Sequence, residues 1–417
     1  MDQPDRRIPV ELARRRLNVD FRSINQSETL VIHAVGTFAF ISALALTIAP
    51  AAAVAQADTT QLKIGTSWEF SSAGMKLRAS VVANDFRAPS GMVFLPDGRI
   101  LATSRGRGQL VLVDTATGAK TVVSGLPEVS TGADGGTLDV ALHPRYRENG
   151  WIYVIYTIDV PGGSMPVIDR AKLDGSAFID RARIYEARPL VENSEHYGAR
   201  LLFHQGYLFV SIGDHNARDF AQYFGDPYGK IIRLRDDGTP AAGNPFAGRQ
   251  DTRSEIWTLG HRNPQGLAIN PLTGSLWEHE HGPQGGDEIN IIRRGRNYGW
   301  PLVSFGGEYA GGPIGKGETS RPGFAAPLRH FTPALAPSGM MFYTGDKFPA
   351  WRNNLFVGAL AARALVRFTV SGDNIQDEER LLLDRRWRVR NVVQGPNGLI
   401  YLGVDGGSLI RISPSTE

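Results

Sequence analysis

Residues 199–214 read ARLLFHQGYLFVSIGD, two short apolar runs joined at a Gln-Gly turn. In the second run Leu208, Val210 and Ile212 alternate with their neighbours, the period of a half-buried strand. The same unit recurs as SGMVFLPDGRILATS (90–104), LDVALHPRYRENGWIYVIYT (138–157), QGLAINPLTGSLWEHE (265–280), SGMMFYTGDKFPAWRNNLFVGAL (338–360) and RNVVQGPNGLIYLGVDG (390–406). Six such units read as the inner hairpins of six blades, because stacking them radially protects the sheet edges. The sequence therefore predicts an all-β chain folded as a six-bladed β-propeller, in one domain over 58–417. That leaves about 60 residues per blade, more than the ~40–45 of a minimal blade repeat. Segments 159–196 and 301–336 are the candidates for long functional loops. Closing the ring requires 59–84 to add a strand to the last blade.

Composition agrees with a turn-rich β fold, with 48 glycines and 25 prolines in 417 residues. The chain has no cysteine, which excludes disulfides, thiolate metal sites and cysteine nucleophiles. A net charge of +3, with no basic block beside aromatics, argues against nucleic acid as a partner. At the N-terminus, Arg14, Arg15, Arg16 and Arg22 precede the apolar run VIHAVGTFAFISALALTIAP (31–50). Ala55-Gln56-Ala57 follows, a small-residue cleavage pattern. Residues 1–57 are thus expected to be an extended signal peptide and the mature protein to be periplasmic. An uncleaved membrane anchor is the alternative.

Several side chains stand where blade loops carry chemistry. Arg262 and Asn263, in GHRNPQGLA (260–268), precede an inner strand, as do Arg388 and Arg390 in RWRVRNV (386–392). Arg388 and Arg390 are spaced by two and share one face of a strand, so an anion or solvent must lie between them. Three arginines at equivalent blade positions suit a small polyanionic ligand in the central channel, and a solvated basic edge is the plainer reading of each alone. His196 opens the 199–214 unit and Asp214 closes it. A His–Asp pair suits a general base, and a hydrogen-bonded structural histidine is the plainer reading. In WEHEHGPQGGDEINIIRRGRNYGW (277–300), His279 and His281 alternate with Glu278 and Glu280. Zinc lacks a third nitrogen ligand here. The carbonyls of Gly282, Pro283 and Tyr298, with Asp287 and Glu288, make an oxygen-rich set that suits calcium.

In this order, LDVALHP, GHRNPQGLA, EHGPQGGDEIN, NYGWP, ALAPSGMMFYTGD, LFVGAL and VRNVVQGPNG resemble the soluble quinoprotein sugar dehydrogenases. The likeness is to the bacterial aldose sugar dehydrogenase branch of the glucose/sorbosone dehydrogenase family, over roughly 89–412. The resemblance implies a six-bladed propeller that binds pyrroloquinoline quinone (PQQ) and calcium, oxidises aldose C1 to the lactone, and passes electrons to an external acceptor that the residues do not name. It implies that His196 is the general base, Asp214 its orienting acid, and Arg262 the polariser of the quinone oxygen. Asn263, Arg388 and Arg390 become cofactor contacts. Gly282 and Pro283 become carbonyl ligands of the cofactor's calcium, and Glu288 and Tyr298 mark a second, structural calcium.

Three positions depart from the family pattern. Asp134 replaces a glutamine on the cofactor side of the pocket, Ala361 stands where a quinone-contacting lysine is usual, and Glu195 replaces an aspartate before the histidine. The first two make the pocket less positive and predict weaker binding of a tricarboxylate, with Arg363 as a substitute cation if its strand stays regular. The same two suit a propeller that has kept the fold without redox chemistry, either a calcium-dependent sugar-lactone hydrolase or a non-catalytic sugar-binding protein.

Overall fold

The computed structural model describes residues 61–193 and 195–415, so the expected leader over 1–57 lies outside the described residues. Strands β1 (Ser67–Ser72) and β2 (Met75–Ala83) form a hairpin at the start of this region. Five four-stranded antiparallel sheets then follow in chain order, and a five-stranded sixth closes the ring. The first holds β3 (Met92–Phe94), β4 (Ile100–Ser104), β5 (Gln109–Val113) and β6 (Lys120–Val122). The second holds β7 (Thr137–Leu142), β8 (Ile152–Val160), β9 (Gly163–Asp174) and β10 (Ala177–Glu186). The third holds β11 (Gly198–His204), β12 (Tyr207–Ile212), β13 (Lys230–Leu234) and β14 (Ile256–Leu259). The fourth holds β15 (Pro264–Ile269), β16 (Leu276–Glu280), β17 (Asp287–Ile292) and β18 (Arg329–Phe331). The fifth holds β19 (Pro337–Phe342), β20 (Leu355–Ala359), β21 (Ala364–Ser371) and β22 (Asn374–Leu381). The sixth combines β23 (Val389–Gln394), β24 (Ile400–Val404) and β25 (Ser408–Pro414) with β2 and β1.

Each recurring unit of the sequence is the inner hairpin of one blade, and the inner strands β3, β7, β11, β15, β19 and β23 contact one another in that order and back to β3. The ring closes as expected: β2 pairs with β25, with Val81 opposite Ile410. Apolar side chains fill the seams between blades. Leu101, Leu110 and Leu112 of the first blade pack on Ile152 and Val154 of the second. Trp277 and Ile289 of the fourth pack on Leu355 and Val357 of the fifth. Each fully buried aliphatic side chain of this kind contributes about 1.5–3 kcal/mol.

Segment 159–196 is not a long loop. It supplies the end of β8 and all of β9 and β10, the long outer strands of the second blade. The burial of β9, from Ser164 to Asp169, gives it a packed inner face. Segment 301–336 does behave as expected and carries a long excursion between β17 and β18. The central channel also differs from the expectation. Arg200, from β11, enters it and pairs with Asp139 of β7 at 3.6 Å, while its Nε donates to the Gln265 carbonyl at 2.6 Å. Together with Asn391, which donates to the Ser90 carbonyl at 2.6 Å, these groups staple blades across a cavity of about 130 Å³.

Candidate active site

At one end of the ring a second cavity, about 810 Å³, opens among loops of four blades. Asp134, His196, Arg262, Asn263, His281 and Pro283 line it, with Tyr309 and Pro333 on the long loop side. This volume is at the large end of small-ligand sites, which run to about 1,000 Å³.

His196 lies just before β11 in a left-handed conformation, φ 48°. A Cβ on Gly213, at the end of β12, would fall 1.9 Å from the His196 carbonyl oxygen, so only glycine allows this approach. The turn brings His196 Nδ1 to 2.8 Å from Asp214 Oδ1. The Asp214 carboxylate is fully buried and also accepts from the Trp300 indole N–H at 2.7 Å and the Asn216 N–H at 2.8 Å. On the far side of the imidazole, Arg262 Nη2 stands 3.2 Å from His196 Nε2. A guanidinium has no acceptor, so Nε2 must carry the lone pair and Nδ1 the proton donated to Asp214.

Arg262 is itself fixed from several directions. Its carbonyl accepts from the Asp214 N–H at 2.8 Å, its N–H is taken by the Glu280 carboxylate, and Nη1 donates to the Gly282 carbonyl at 2.8 Å. Its guanidinium lies 5.4 Å from the Trp300 ring, and Arg218 lies 5.5 Å from the same ring. Arg262 Nε is buried and has no partner. Asn263 is turned to structure: its Oδ1 accepts from the Gly198 N–H at 3.1 Å and from Gln265 at 2.9 Å.

Behind this wall lies a buried acidic cluster. The β16–β17 register sets Glu280 opposite Glu288 and Glu278 opposite Asn290, so all four side chains share one face. Asn290 Nδ2 lies 3.1 Å from Glu278 Oε2 and 3.2 Å from Glu288 Oε2, and the Glu278 Oε1 and Asn290 Oδ1 atoms have no partner. Ligating atoms of His261, Glu278 and Glu280 come within 4.8 Å of one another. Burial first, and the neighbouring Glu280 charge second, push the Glu278 and Glu288 carboxyls well above the usual range. A void of about 20 Å³, lined by Glu280, Glu288, Gly286 and Tyr298, adjoins them. Carboxyls set face to face in a buried cluster offer an oxygen-rich set that could hold a cation.

The model of the Glucose / Sorbosone dehydrogenase family matches residues 86–411. The chain belongs to this family. It is 38% identical to the aldose sugar dehydrogenase YliI of Escherichia coli over 347 residues, which cover 81% of this chain and 93% of that one. The apo-form structure of the soluble aldose sugar dehydrogenase from E. coli superposes with a TM-score of 0.79 at 37% identity, covering 81% of this chain and all of that one. The PQQ-bound aldose sugar dehydrogenase of Streptomyces coelicolor gives 0.67 at 27% identity, covering 82% and 99%.

In this glucose/sorbosone dehydrogenase family member, His196, Asp214, Arg262, Asn263, Gly282 and Pro283 come together at the cavity, and Asp134 reaches it from the second blade. Asp134 Oδ1 lies 3.4 Å from Arg105, which also donates to the Asp134 carbonyl. Burial, and then the nearby Arg390, lower the Arg105 guanidinium to about 10. Arg388 and Arg390 do not line the cavity. The anion between them belongs to the chain: Asp405 accepts from Arg388 Nε at 2.8 Å and from Arg390 Nε. Arg363 sits in the turn between β20 and β21 with φ 52°, so the regular-strand geometry that would have turned it toward the Ala361 side is not present. Of the two histidines of 279–281, His279 is fully buried and His281 partly buried. Burial lowers both to about 3, and His281 donates from Nε2 to the Pro337 carbonyl at 2.8 Å.

Sequence reasoning missed Trp300, Arg105 and the Glu278–Glu280 pair. The pair had a readable signal, two acids at i and i+2 on one strand with a third acid across the hairpin.

Proposed function

We propose that this chain oxidises aldoses at C1 to lactones, with PQQ as its redox cofactor, calcium as its metal and the periplasm as its location. The observation that carries the reading is the His196 ring, held by Asp214 on one side and met by Arg262 on the other at the wall of the 810 Å³ cavity. With Nδ1 fixed as donor, Nε2 is the base that takes the proton of the C1 hydroxyl. The C1 hydrogen departs with both electrons, and the C1–O bond becomes the carbonyl of the lactone. PQQ, when bound, supplies the acceptor for that hydride. Asp214 holds the imidazolium that results, and Trp300 keeps Asp214 in place. Arg262, with a buried and unpartnered Nε, fits beside an electron-rich oxygen of the cofactor.

The acidic cluster suits calcium, through Glu278, Glu280 and Glu288 with the backbone at Tyr298. The carbonyls of Gly282 and Pro283 suit the cofactor's own calcium, since a carbonyl already accepting from Arg262 keeps a second lone pair. The apolar run followed by Ala55-Gln56-Ala57 supports export. No helix among the described residues is long and apolar enough to cross a membrane. The test is reconstitution: purified protein with PQQ and calcium is expected to show the bound-quinone spectrum and to reduce a dye with aldoses. Failure to take up PQQ at saturating cofactor and calcium refutes the reading.

A further inference from the structure

We propose that Tyr309 is the platform on which the aldose ring lies during oxidation, an inference that rests on the sugar-oxidation reading above. Tyr309 is 72% exposed, the most exposed large apolar side chain among the described residues, yet it lines the 810 Å³ cavity. None of the other strongly exposed large apolar side chains does so among the described residues. An aromatic ring left in water is unremarkable on a plain surface and informative at the mouth of a cavity.

The ring is placed by a rigid support. Tyr309 occupies a tight turn in which the Glu308 N–H donates to the Gly312 carbonyl at 2.9 Å and the Gly311 N–H returns to the Glu308 carbonyl at 2.9 Å. The base of the turn pairs with the cavity wall: Gln284 and Gly307 exchange both backbone hydrogen bonds at 3.1 Å. A Cβ on Gly306 would lie 2.4 Å from the Gly285 carbonyl, so the loop sits directly on the segment that lines the cavity. Arg218 locks the tip by donating Nη2 to Glu308 Oε2 at 2.7 Å, and the same guanidinium faces Trp300, the indole that holds Asp214. The tyrosine is therefore tied to the same scaffold as the base.

The chemistry that fits this ring is a pyranose. One face of an aldopyranose presents a patch of C–H hydrogens, weakly positive, which packs on the negative face of an aromatic ring. Its hydroxyls project at the edges, where His196 and Asp134 lie on the cavity wall. Pro283, Pro333 and Ala334 add apolar surface to the lining.

The test compares wild type, Tyr309→Ala and Tyr309→Phe, each reconstituted with PQQ and calcium. Steady-state dye reduction with D-glucose and D-xylose is measured, together with saturation-transfer NMR of each sugar on the protein. We expect Tyr309→Ala to raise KM by roughly three- to tenfold with kcat held, to weaken transfer to the sugar C–H protons, and to leave the quinone spectrum and melting temperature as in wild type. Tyr309→Phe, which keeps the ring, is expected to behave as wild type. A Tyr309→Ala protein with unchanged KM and transfer overturns the proposal, as does one that loses kcat and cofactor together, because that marks a structural role. If wild type oxidises no aldose yet transfers saturation to the sugars through Tyr309, the oxidation reading fails and the platform stands. If wild type shows no transfer to either sugar, the platform fails.

Discussion

Replacing Glu278 by glutamine is expected to change stability with opposite signs in the presence and absence of calcium. Glu278 is fully buried, its Oε1 has no partner, and Glu280 stands beside it on the same strand face. In protein stripped of divalent cations, burial and the Glu280 charge hold its carboxyl well above the usual range, and Glu288 is raised for the same reasons. The folded state therefore keeps protons that the unfolded chain releases above about pH 4.3. Stability then falls as pH rises through that window, by up to about 1.4 kcal/mol per pH unit for each such group, until pH passes the folded value. Between pH 5.5 and 7.5 one group costs as much as ~3 kcal/mol, and Glu278→Gln removes that slope. Under chelation the variant should be the more stable protein at pH 7.5 and close to wild type at pH 5.5. Calcium reverses the order, because the ion takes the place of the protons. Binding to the native state alone stabilises by about 2.7 kcal/mol at a hundredfold excess over Kd, and the variant has lost one ligand charge. Urea unfolding followed by tryptophan fluorescence, with EGTA or calcium at both pH values, reads all four conditions. Equal pH slopes for the two proteins under EGTA, or an equal calcium gain, would refute the reasoning.

Further outcomes are expected at the cavity and the leader. His196→Ala should lower kcat for sugar oxidation by about 10²–10⁴-fold while the quinone spectrum of the reconstituted protein persists, since the base goes and the cofactor contacts stay. Trp300→Phe removes the N–H held at 2.7 Å by buried Asp214 and should cost about 1.5–3 kcal/mol in urea unfolding, with a fall in kcat. An unchanged kcat would reduce the indole to packing. Asp134→Gln combined with Ala361→Lys should tighten PQQ about tenfold or more in a spectral titration, and equal affinity would show that Arg105 already neutralises Asp134. Intact-mass measurement of exported protein should give a chain starting at Asp58, and a full-length chain in the inner membrane would contradict it.

The blade order was legible because each inner hairpin repeats one pattern, apolar run, tight turn, apolar run, and a propeller can stack no other part of the unit at its centre. The outer strands were not. In β9 and β10 bulges between Ile179 and Ala182 and between Arg183 and Tyr185 break the alternation, which is why 159–196 read as loop. At the site, the positions of His196, Asp214 and Arg262 followed from strand ends alone. The partners that fix the charged side chains did not, because they lie far along the chain, in another blade or at the far end of the same hairpin. Trp300 reaches Asp214 across 86 residues, and Asp405 reaches Arg390 from the far end of its own hairpin. Arg388 and Arg390 show the limit of spacing: it put two charges on one face and could not say that the chain already held their counterion.

The sixth blade joins β2 to β25, pairing Leu77 with Pro414. Joining segments so distant costs about 4 kcal/mol more closure entropy than a short hairpin turn does. Ring closure thus waits until β25 has been made. A ribosome can release five blades' worth of chain and the ring still lacks its clasp. On the export proposed above, this delay keeps the chain threadable for a secretion pore. It also makes the clasp a point of failure: a protease that trims β1 and β2 leaves β25 without its partner, and such an unpaired edge recruits neighbours into aggregates.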